Sequence, residues 1–222
     1  MHRIGLIVNP LAGIGGRVGL KGSDGEAVVA EAIKRGGTSE AFHRTKIALK
    51  ELASLKEGAV FLTAGDSMGE HAAQECGLIT EVVYRCNGNT TTSDDTKKAA
   101  KAIVTEGVDL LLFSGGDGTA RDVYNQIGDK IAVLGIPAGV KIHSAVYAIT
   151  PKSAGIAALK YLNSRSGNLV DGEVMDLDED LYRQGVINTR LYGYMKVPGN
   201  ERNMQKAKAR FVSAGESLNG MA

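Results

Sequence analysis

Short apolar segments alternate with longer amphipathic segments along most of the chain. The apolar segments are rich in branched side chains and bounded by Gly, Pro or Asn, which predicts buried parallel strands. The amphipathic segments predict helices. The predicted strands cover residues 3–8, 59–63, 79–85, 108–113, 130–136 and 190–197, with a further strand around Val174 and Leu177. The predicted helices cover residues 26–35, 44–55, 70–76, 120–127, 151–165 and 202–218, with another that ends near Glu106.

This alternation predicts an α/β fold with a doubly wound, mostly parallel sheet. In such sheets ligands bind at the carboxyl ends of the strands. We expect a nucleotide-binding α/β domain over residues 1–170. Residues 171–222 are expected to be the start of a second domain or a C-terminal extension.

Composition places the chain among ordinary globular proteins. It has 222 residues, of which 43% are hydrophobic and 23% charged, and a formal net charge of +1. Such a balance gives no basic surface for nucleic acid or anionic lipid, and no apolar segment approaches membrane-spanning length. The first apolar segment is too short for a signal peptide, and Cys76 and Cys86 have no metal-ligand spacing. We therefore expect a cytoplasmic protein without nucleic-acid or membrane partners.

The segment SGGDGT at 114–119 is the strongest chemical signal in the sequence. It follows the buried strand at 108–113 and precedes the helix at 120–127. Its glycines allow a tight turn and close approach of a ligand to the backbone. The N-terminus of the following helix offers free N–H groups and a positive dipole end, which favour phosphate.

Asp117 is the one carboxylate within this turn. An acid in an anion-binding turn is unfavourable unless it serves chemistry, such as holding a metal or receiving a hydroxyl proton. The simpler alternative is that Asp117 caps the helix. We favour a catalytic role for Asp117, and no residue is predicted as a metal ligand.

Three motifs together resemble the NAD kinase and diacylglycerol kinase superfamily. These are NPLAG at 9–13, GGDGT at 115–119 and GIPAG at 135–139. The segment PAGVKIHSAVYAITP at 137–151 is most similar to a divergent bacterial and archaeal branch of the ATP-NAD kinases that includes proteins of acetoin catabolism clusters. Family members continue into an all-β domain, most of which the resemblance implies to be missing here.

The resemblance implies phosphoryl transfer from ATP or inorganic polyphosphate to the 2′-hydroxyl of NAD, giving NADP, with Mg²⁺ and in a homo-oligomer. Asp117 would accept or orient the hydroxyl proton. Lys141 is a further candidate for a phosphate or ribose contact, and Asp176 could replace the acidic NAD-binding pair of the family. The predicted nucleotide-binding residues are Asn9, Gly13, Gly115, Gly116, Gly118, Thr119, Gly135, Gly139 and His143.

Other functions stay open on the sequence alone. A kinase of this type could act on a lipid or sugar hydroxyl, or the chain could bind nucleotides without turnover. The segment GDSMG at 65–69 also matches the nucleophile elbow of serine hydrolases. In that alternative Ser67 would be the nucleophile, with Asp109 or Asp122 and His143 completing a triad.

Overall fold

The computed structural model describes residues 1–15, 18–20, 26–88, 90–139, 141–164, 168–177, 188–199 and 202–205. Its strands are β1 (His2–Val8), β2 (Ala59–Ala64), β3 (Thr80–Tyr84), β4 (Leu110–Gly115), β5 (Val133–Pro137), β6 (Leu169–Leu177) and β7 (Thr189–Pro198). Its helices are α1 (Glu26–Lys34), α2 (Ala41–Lys50), α3 (Glu70–Glu75), α4 (Ser93–Thr105), α5 (Asp117–Ile127) and α6 (Pro151–Asn163).

Five parallel strands form the sheet in the order β3-β2-β1-β4-β5. The chain first moves outward from β1 to β2 and β3, and then returns to place β4 on the other side of β1. The strand order therefore reverses between β1 and β4. In open α/β sheets, this reversal opens a crevice at the carboxyl ends of the two strands, where ligands bind.

Helices cover both faces of this sheet, so the predicted doubly wound α/β fold is confirmed. On one face, α4 packs against β1, and a side chain at Gly5 would overlap Ile103 of α4. α5 packs beside α4 on that face. On the other face, α6 lies against α2, where Gly155 allows the backbone carbonyl of Ala48 to come close.

The two central strands are buried on both sides. Every residue of β4 is buried, and so are the last five residues of β1. Burial on both faces explains why these segments are continuously apolar instead of alternating. In the described part of the chain, none of the helices is both long and apolar enough to cross a membrane.

The structure corrects two boundaries at the glycine-rich turn. β4 continues to Gly115, two residues beyond the predicted end, and α5 begins at Asp117 instead of Ala120. The apolar pattern starts late because the first turn of α5, Asp117 to Ala120, has no apolar side chain before Ala120. Asp117 is consequently the first residue of the helix.

The antiparallel hairpin of β6 and β7 packs against α5 and β5. It contains the two C-terminal strands predicted from the sequence. Of the predicted helix at 202–218, only residues 202–205 are described. There Met204 forms an antiparallel bridge with Ala148, so this part is not helical. The predicted acidic helix start at 178–180 and residues 206–218 lie outside the described residues.

A complete capping box begins α4, as the hydroxyl-rich sequence before it indicates. Thr92 is the N-cap, and its backbone N–H and hydroxyl both donate to the Asp95 carboxylate at 2.8 and 2.6 Å. Tyr84 donates to the other oxygen of Asp95 at 2.6 Å. Burial opposes the charge on Asp95, but these hydrogen bonds outweigh it and hold the pKa of Asp95 well below its ordinary value.

Because the folded pKa of Asp95 is lowered, its contribution to stability is present above about pH 4, its unfolded pKa. This contribution is lost as the pH falls through the folded pKa. An Asp95→Asn variant should be about 1–3 kcal/mol less stable at pH 7, and the difference should shrink below pH 4. Urea unfolding across a pH series measures this difference. A difference that does not change with pH would contradict the account, and the exposed neighbour variant Asp94→Asn is the control.

Candidate functional site

The predicted ligand-binding turns meet at the carboxyl edge of the sheet, where the strand order reverses. Asn9 follows β1, and Gly116 follows β4. The two strand ends are joined by the Asn9 N–H, which donates to Ser114 O at 2.9 Å. The crevice expected of this topology is therefore bordered by the NPLAG and GGDGT segments.

The carboxylate of Asp117 accepts hydrogen bonds from the segment that follows β5. Its Oδ2 receives the His143 backbone N–H at 2.8 Å and faces the ring Nδ1 of His143 at 3.1 Å. Its Oδ1 receives the Ser144 backbone N–H at 3.0 Å and faces Ser144 Oγ at 2.7 Å. The Asp117 side chain is only 9% exposed. Asp117 thus fixes the 143–144 segment against the start of α5.

The 143–144 segment is also held from its other side by the hairpin. Ser144 Oγ accepts the Met175 N–H at 2.9 Å and lies 2.8 Å from Met175 O. The next residue, Ala145, donates its N–H to Glu173 O at 2.8 Å. The hairpin therefore supports the residues that contact Asp117.

The buried side chain of Tyr147 supports the glycine-rich turn between β4 and α5. Its ring is fully buried and packs edge-on against Phe113, with centroids 5.3 Å apart. Its hydroxyl donates to Gly116 O at 2.5 Å. Burial, with smaller effects of nearby Asp117 and Asp176, raises the pKa of Tyr147 well above its ordinary value. Tyr147 is therefore a neutral, permanent donor to the residue that precedes α5.

The first turn of α5 presents backbone donors at this edge. Gly116 is the N-cap residue and has no side-chain cap bond, and the helical bonding begins with Ala120 N–H donating to Gly116 O at 3.1 Å. The amides of Asp117, Gly118 and Thr119 precede that bond, so they have no carbonyl partner within the helix. Together with the helix dipole, these amides form an environment that suits phosphate oxygens.

Asn9 and Thr119 are brought together by the fold. Asn9 Nδ2 donates to Thr119 Oγ1 at 3.0 Å, and Asn9 Oδ1 accepts the Leu11 N–H at 3.0 Å. Asn9 therefore shapes its own turn and ties that turn to α5. In this arrangement, both polar atoms of the Asn9 side chain bond to protein.

Close backbone contacts explain several of the predicted glycines. Gly13 has a φ of +77°, and a Cβ there would overlap Ala138 O. A Cβ at Gly139 would lie 3.0 Å from the Gly116 Cα. Gly115 O accepts the N–H groups of both Ala138 and Gly139, at 2.9 and 3.0 Å. The NPLAG, GGDGT and GIPAG motifs thus form one contiguous backbone surface.

Gly135 lies behind this surface, unlike the other predicted glycines. It is buried in β5, its N–H donates to Val146 O at 2.9 Å, and its carbonyl accepts the Ala148 N–H at 3.0 Å. A side chain at Gly135 would overlap the Tyr147 ring. These contacts give Gly135 a packing role against Tyr147, and a contact of Gly135 with nucleotide stays a prediction.

Three residues at this edge are not among those that the sequence predicts for the site: Arg44, Ser144 and Tyr147. Arg44 extends from the first turn of α2 to Pro137 O, which its Nη1 contacts at 3.2 Å, so it places a positive charge at the carboxyl edge of the sheet. A basic side chain in the first turn of a helix opposes the helix dipole. That unfavourable placement was the available signal for Arg44. The roles of Ser144 and Tyr147 depend on tertiary contacts.

The remaining candidates have different surroundings. Lys141 is exposed. Asp176 is buried and pairs with Arg121, whose Nη1 lies 3.1 Å from Asp176 Oδ2. Arg121 in turn lies over the Tyr192 ring. Asp176 therefore joins the hairpin to α5.

The hydrolase triad is not assembled in the described residues. His143 contacts Asp117, whereas Asp109 precedes β4 at the opposite edge of the sheet and accepts the Arg3 N–H at 2.8 Å. Asp122 lies near Lys97, at 3.9 Å. Ser67 is exposed in a short 3-10 helix. Neither candidate acid can orient His143 toward Ser67.

The described residues do not form a protein-held Mg²⁺ site. Among them, no group of three His, Cys, Asp or Glu side chains could hold a metal ion. Mg²⁺ can be bound by one or two carboxylates together with substrate phosphates. However, two backbone N–H groups already donate to the oxygens of Asp117, and the His143 Nδ1 and Ser144 Oγ lie within 3.1 Å of them. The carboxylate could therefore bind a metal only by giving up some of these contacts.

A protein-family model described as the ATP-NAD kinase N-terminal domain matches residues 4–166 of the chain. The chain therefore belongs to the ATP-NAD kinase family, which is a family of phosphotransferases.

Comparison with solved structures finds a Bacillus anthracis str. Sterne protein named by inference as a diacylglycerol kinase. The two chains are 12% identical with a TM-score of 0.35, and the match covers 86% of this chain and 62% of the other. The chain thus spans less than two thirds of that protein's length. No curated protein matches the chain in sequence.

Proposed function

We propose that the chain transfers a phosphoryl group from ATP or inorganic polyphosphate to the 2′-hydroxyl of NAD, giving NADP. The observation that carries this proposal is the position of Asp117. It is the first residue of α5, beside amides without intrahelical partners, at the point where the strand order reverses. Membership in the ATP-NAD kinase family supports it, because phosphoryl transfer is the chemistry of that family.

Each part of the edge has a role in this proposal. The amides of Gly118 and Thr119 would hold phosphate oxygens, and the backbone of Gly115 and Gly116 would approach the donor closely. Gly13 and Gly139 would border the same phosphate site, with Asn9 fixing the turn that contains Gly13. Mg²⁺ would enter bound to the donor's phosphates.

Asp117 would accept or orient the proton of the acceptor hydroxyl. A positioned acid–base group of this kind contributes about 10²–10⁴ to the rate. Its carboxylate is held by the 143–144 segment, so the acceptor hydroxyl would approach from the side of His143.

Three broader points also remain proposals. The segment PAGVKIHSAVYAITP supports placement in the divergent bacterial and archaeal branch of the family. The division into residues 1–170 and 171–222 and a homo-oligomeric assembly are proposed on the family resemblance.

A second candidate is a protein that binds nucleotides without turnover. The hydrogen bonds that hold Asp117 favour it, because the backbone N–H groups of His143 and Ser144 both donate to its carboxylate. Such a protein would bind ATP or NAD at the same amides and form no product.

A panel of donors and acceptors separates these possibilities. The purified chain is incubated with Mg²⁺ and either ATP or polyphosphate, and with NAD, a diacylglycerol in vesicles or a hexose as acceptor. The proposal predicts phosphorylated product from NAD and at least tenfold less from the other two. Product from diacylglycerol or hexose alone would replace NAD as the acceptor. Binding of ATP or NAD without any product would favour the second candidate.

A further inference from the structure

Arg44 carries a positive charge without a paired negative charge in the described part of the chain. The residue is partly buried, and its guanidinium contacts a neutral group, Pro137 O, at 3.2 Å. Among the residues that the structure describes, no carboxylate forms an ion pair with it. By contrast, carboxylates pair with four other arginines: Arg3, Arg35, Arg85 and Arg121.

The position of Arg44 on α2 adds to this unfavourable electrostatics. Arg44 lies in the first turn of the helix, where the dipole is positive, and that turn contains no acidic residue. Glu40, the N-cap residue, is the nearest acid along the chain, and in the described structure it forms no ion pair with Arg44. Local rules of this kind are broken mainly at functional sites. We therefore expect an anion that binds here to supply the missing negative charge.

The guanidinium of Arg44 borders the backbone surface that the three motifs form. Pro137, whose carbonyl it contacts, is the last residue of β5 and lies beside Gly115 in the sheet. The next two residues, Ala138 and Gly139, donate their N–H groups to Gly115 O at 2.9 and 3.0 Å. Arg44 is thus placed where the GIPAG segment meets the GGDGT segment.

The start of α2 is attached to the NPLAG segment as well. Ser39 Oγ donates to Ala12 O at 2.8 Å and accepts the Ala41 N–H at 3.2 Å. α2 packs across β1, β4 and β5 on the face of the sheet opposite α5. Arg44 therefore reaches the carboxyl edge from one face, and the first amides of α5 reach it from the other. A chain of linked phosphates can extend between these two groups of donors.

We propose that Arg44 binds the phosphate chain of the phosphoryl donor, which is a nucleoside triphosphate or inorganic polyphosphate. A guanidinium has five N–H donors in a planar fork that matches two phosphate oxygens. Pro137 O takes one donor and orients the fork, and the other donors are left for the ligand. This inference rests on the proposed function, because it adds a residue to the donor site of that reaction. Arg44 thus selects donors by the length of their phosphate chain.

The decisive variant is Arg44→Gln, with binding measured by titration calorimetry in the presence of Mg²⁺. The ligands are inorganic tripolyphosphate, ATP and AMP. We expect the Kd for tripolyphosphate and for ATP to rise about 10–100-fold, as the loss of charge-assisted hydrogen bonds predicts. The Kd for AMP, whose single phosphate is held by the α5 amides, should change by less than about threefold. The matched control is Lys50→Gln, which removes an exposed positive charge from the last turn of the same helix and should leave all three Kd values unchanged.

Urea unfolding separates ligand binding from a structural role. Without ligand, Arg44→Gln should unfold at a urea concentration no lower than the wild type, because the lost charge opposed the helix dipole. Saturating tripolyphosphate should raise the midpoint of the wild type and raise that of the variant less. Arg44→Lys is the second variant, for the case in which Gln unfolds the chain. It keeps the charge and loses the fork, so it should bind tripolyphosphate at least about threefold more weakly.

The outcomes distinguish this inference from the proposed function. If the wild-type chain forms NADP and Arg44→Gln binds tripolyphosphate and ATP within about threefold of the wild type, the Arg44 assignment is wrong and the proposed function stands. An equal loss of affinity for AMP, or wild-type affinity in a folded Arg44→Lys, would also overturn the assignment. If binding of ATP and tripolyphosphate depends on Arg44 but no acceptor is phosphorylated, the proposed function is wrong and Arg44 belongs to a nucleotide-binding protein without turnover. A wild-type chain that binds neither ligand would overturn both proposals.

Discussion

Replacement of Asp117 by Asn is expected to lower kcat for NADP formation by about 10²–10⁴. In the structure Asp117 accepts two backbone N–H groups and contacts the His143 ring. Asn presents one oxygen and one NH₂ group. Its NH₂ group would therefore face a backbone N–H group that donates to the carboxylate in the wild-type protein. It could no longer hold the Nδ1–H of His143 as a carboxylate does. In protease triads the loss of such an orienting carboxylate costs on the order of 10⁴ in kcat.

The steady-state rate of NADP formation measures this effect, and thermal unfolding shows whether the variant remains folded at the assay temperature. Asp94→Asn is the control, because Asp94 lies in the first turn of neighbouring α4 but its side chain is 71% exposed and pairs with Lys97 at the surface. Asp94→Asn should keep wild-type kcat. Wild-type turnover in Asp117→Asn would remove Asp117 from the mechanism.

The substitution Gly115→Ala, which adds one methyl group, should have the second largest effect on activity. A Cβ at this position would overlap both Oγ1 and Cβ of Thr119. Because Thr119 Cβ is attached directly to the helix backbone, rotation of the side chain cannot relieve the overlap, and the first turn of α5 must shift. That shift would break the bond between Thr119 and Asn9. We expect Gly115→Ala to cost about 1–3 kcal/mol of stability and to lower kcat/KM at least tenfold.

The adjacent glycine provides a matched control for stability. A Cβ at Gly116 would have its nearest neighbour at 3.6 Å, the Gly139 Cα, and the φ of Gly116 is −118°, which any residue adopts. Gly116→Ala should therefore change the unfolding free energy by less than about 0.5 kcal/mol. Urea unfolding of the two variants tests the contrast. Equal stability of Gly115→Ala and Gly116→Ala would show that Thr119 does not prevent a side chain at position 115.

The fold could be predicted from the sequence because the strands and helices have clear local sequence patterns. Both central strands are buried on both faces and are therefore continuously apolar, and Thr92 before α4 shows the expected capping chemistry. The hydrophobic pattern predicts the start of α5 three residues late, because the GGDGT turn has no apolar side chain to mark it. In that segment the helix boundary is determined by backbone geometry. The periodicity of hydrophobic residues gives no information about that geometry.

The site was only partly predictable, because its decisive contacts connect residues far apart in sequence. The bond of Asn9 to Thr119 spans 110 residues, and that of Asp117 to His143 spans 26. The motifs indicated which segments meet at the sheet edge. They could not indicate that the backbone of His143 and Ser144 donates to Asp117, or that Gly135 packs against Tyr147.

The central claim is that the edge around Asp117 is a phosphoryl-transfer site for NAD. Its most direct test is NADP formation by the purified chain with NAD, Mg²⁺ and either ATP or polyphosphate, followed over time beside the Asp117→Asn variant. The account predicts product from the wild-type chain with at least one donor and a loss of about 10²–10⁴ in the variant. Binding of NAD or ATP without NADP formation from either donor would contradict it.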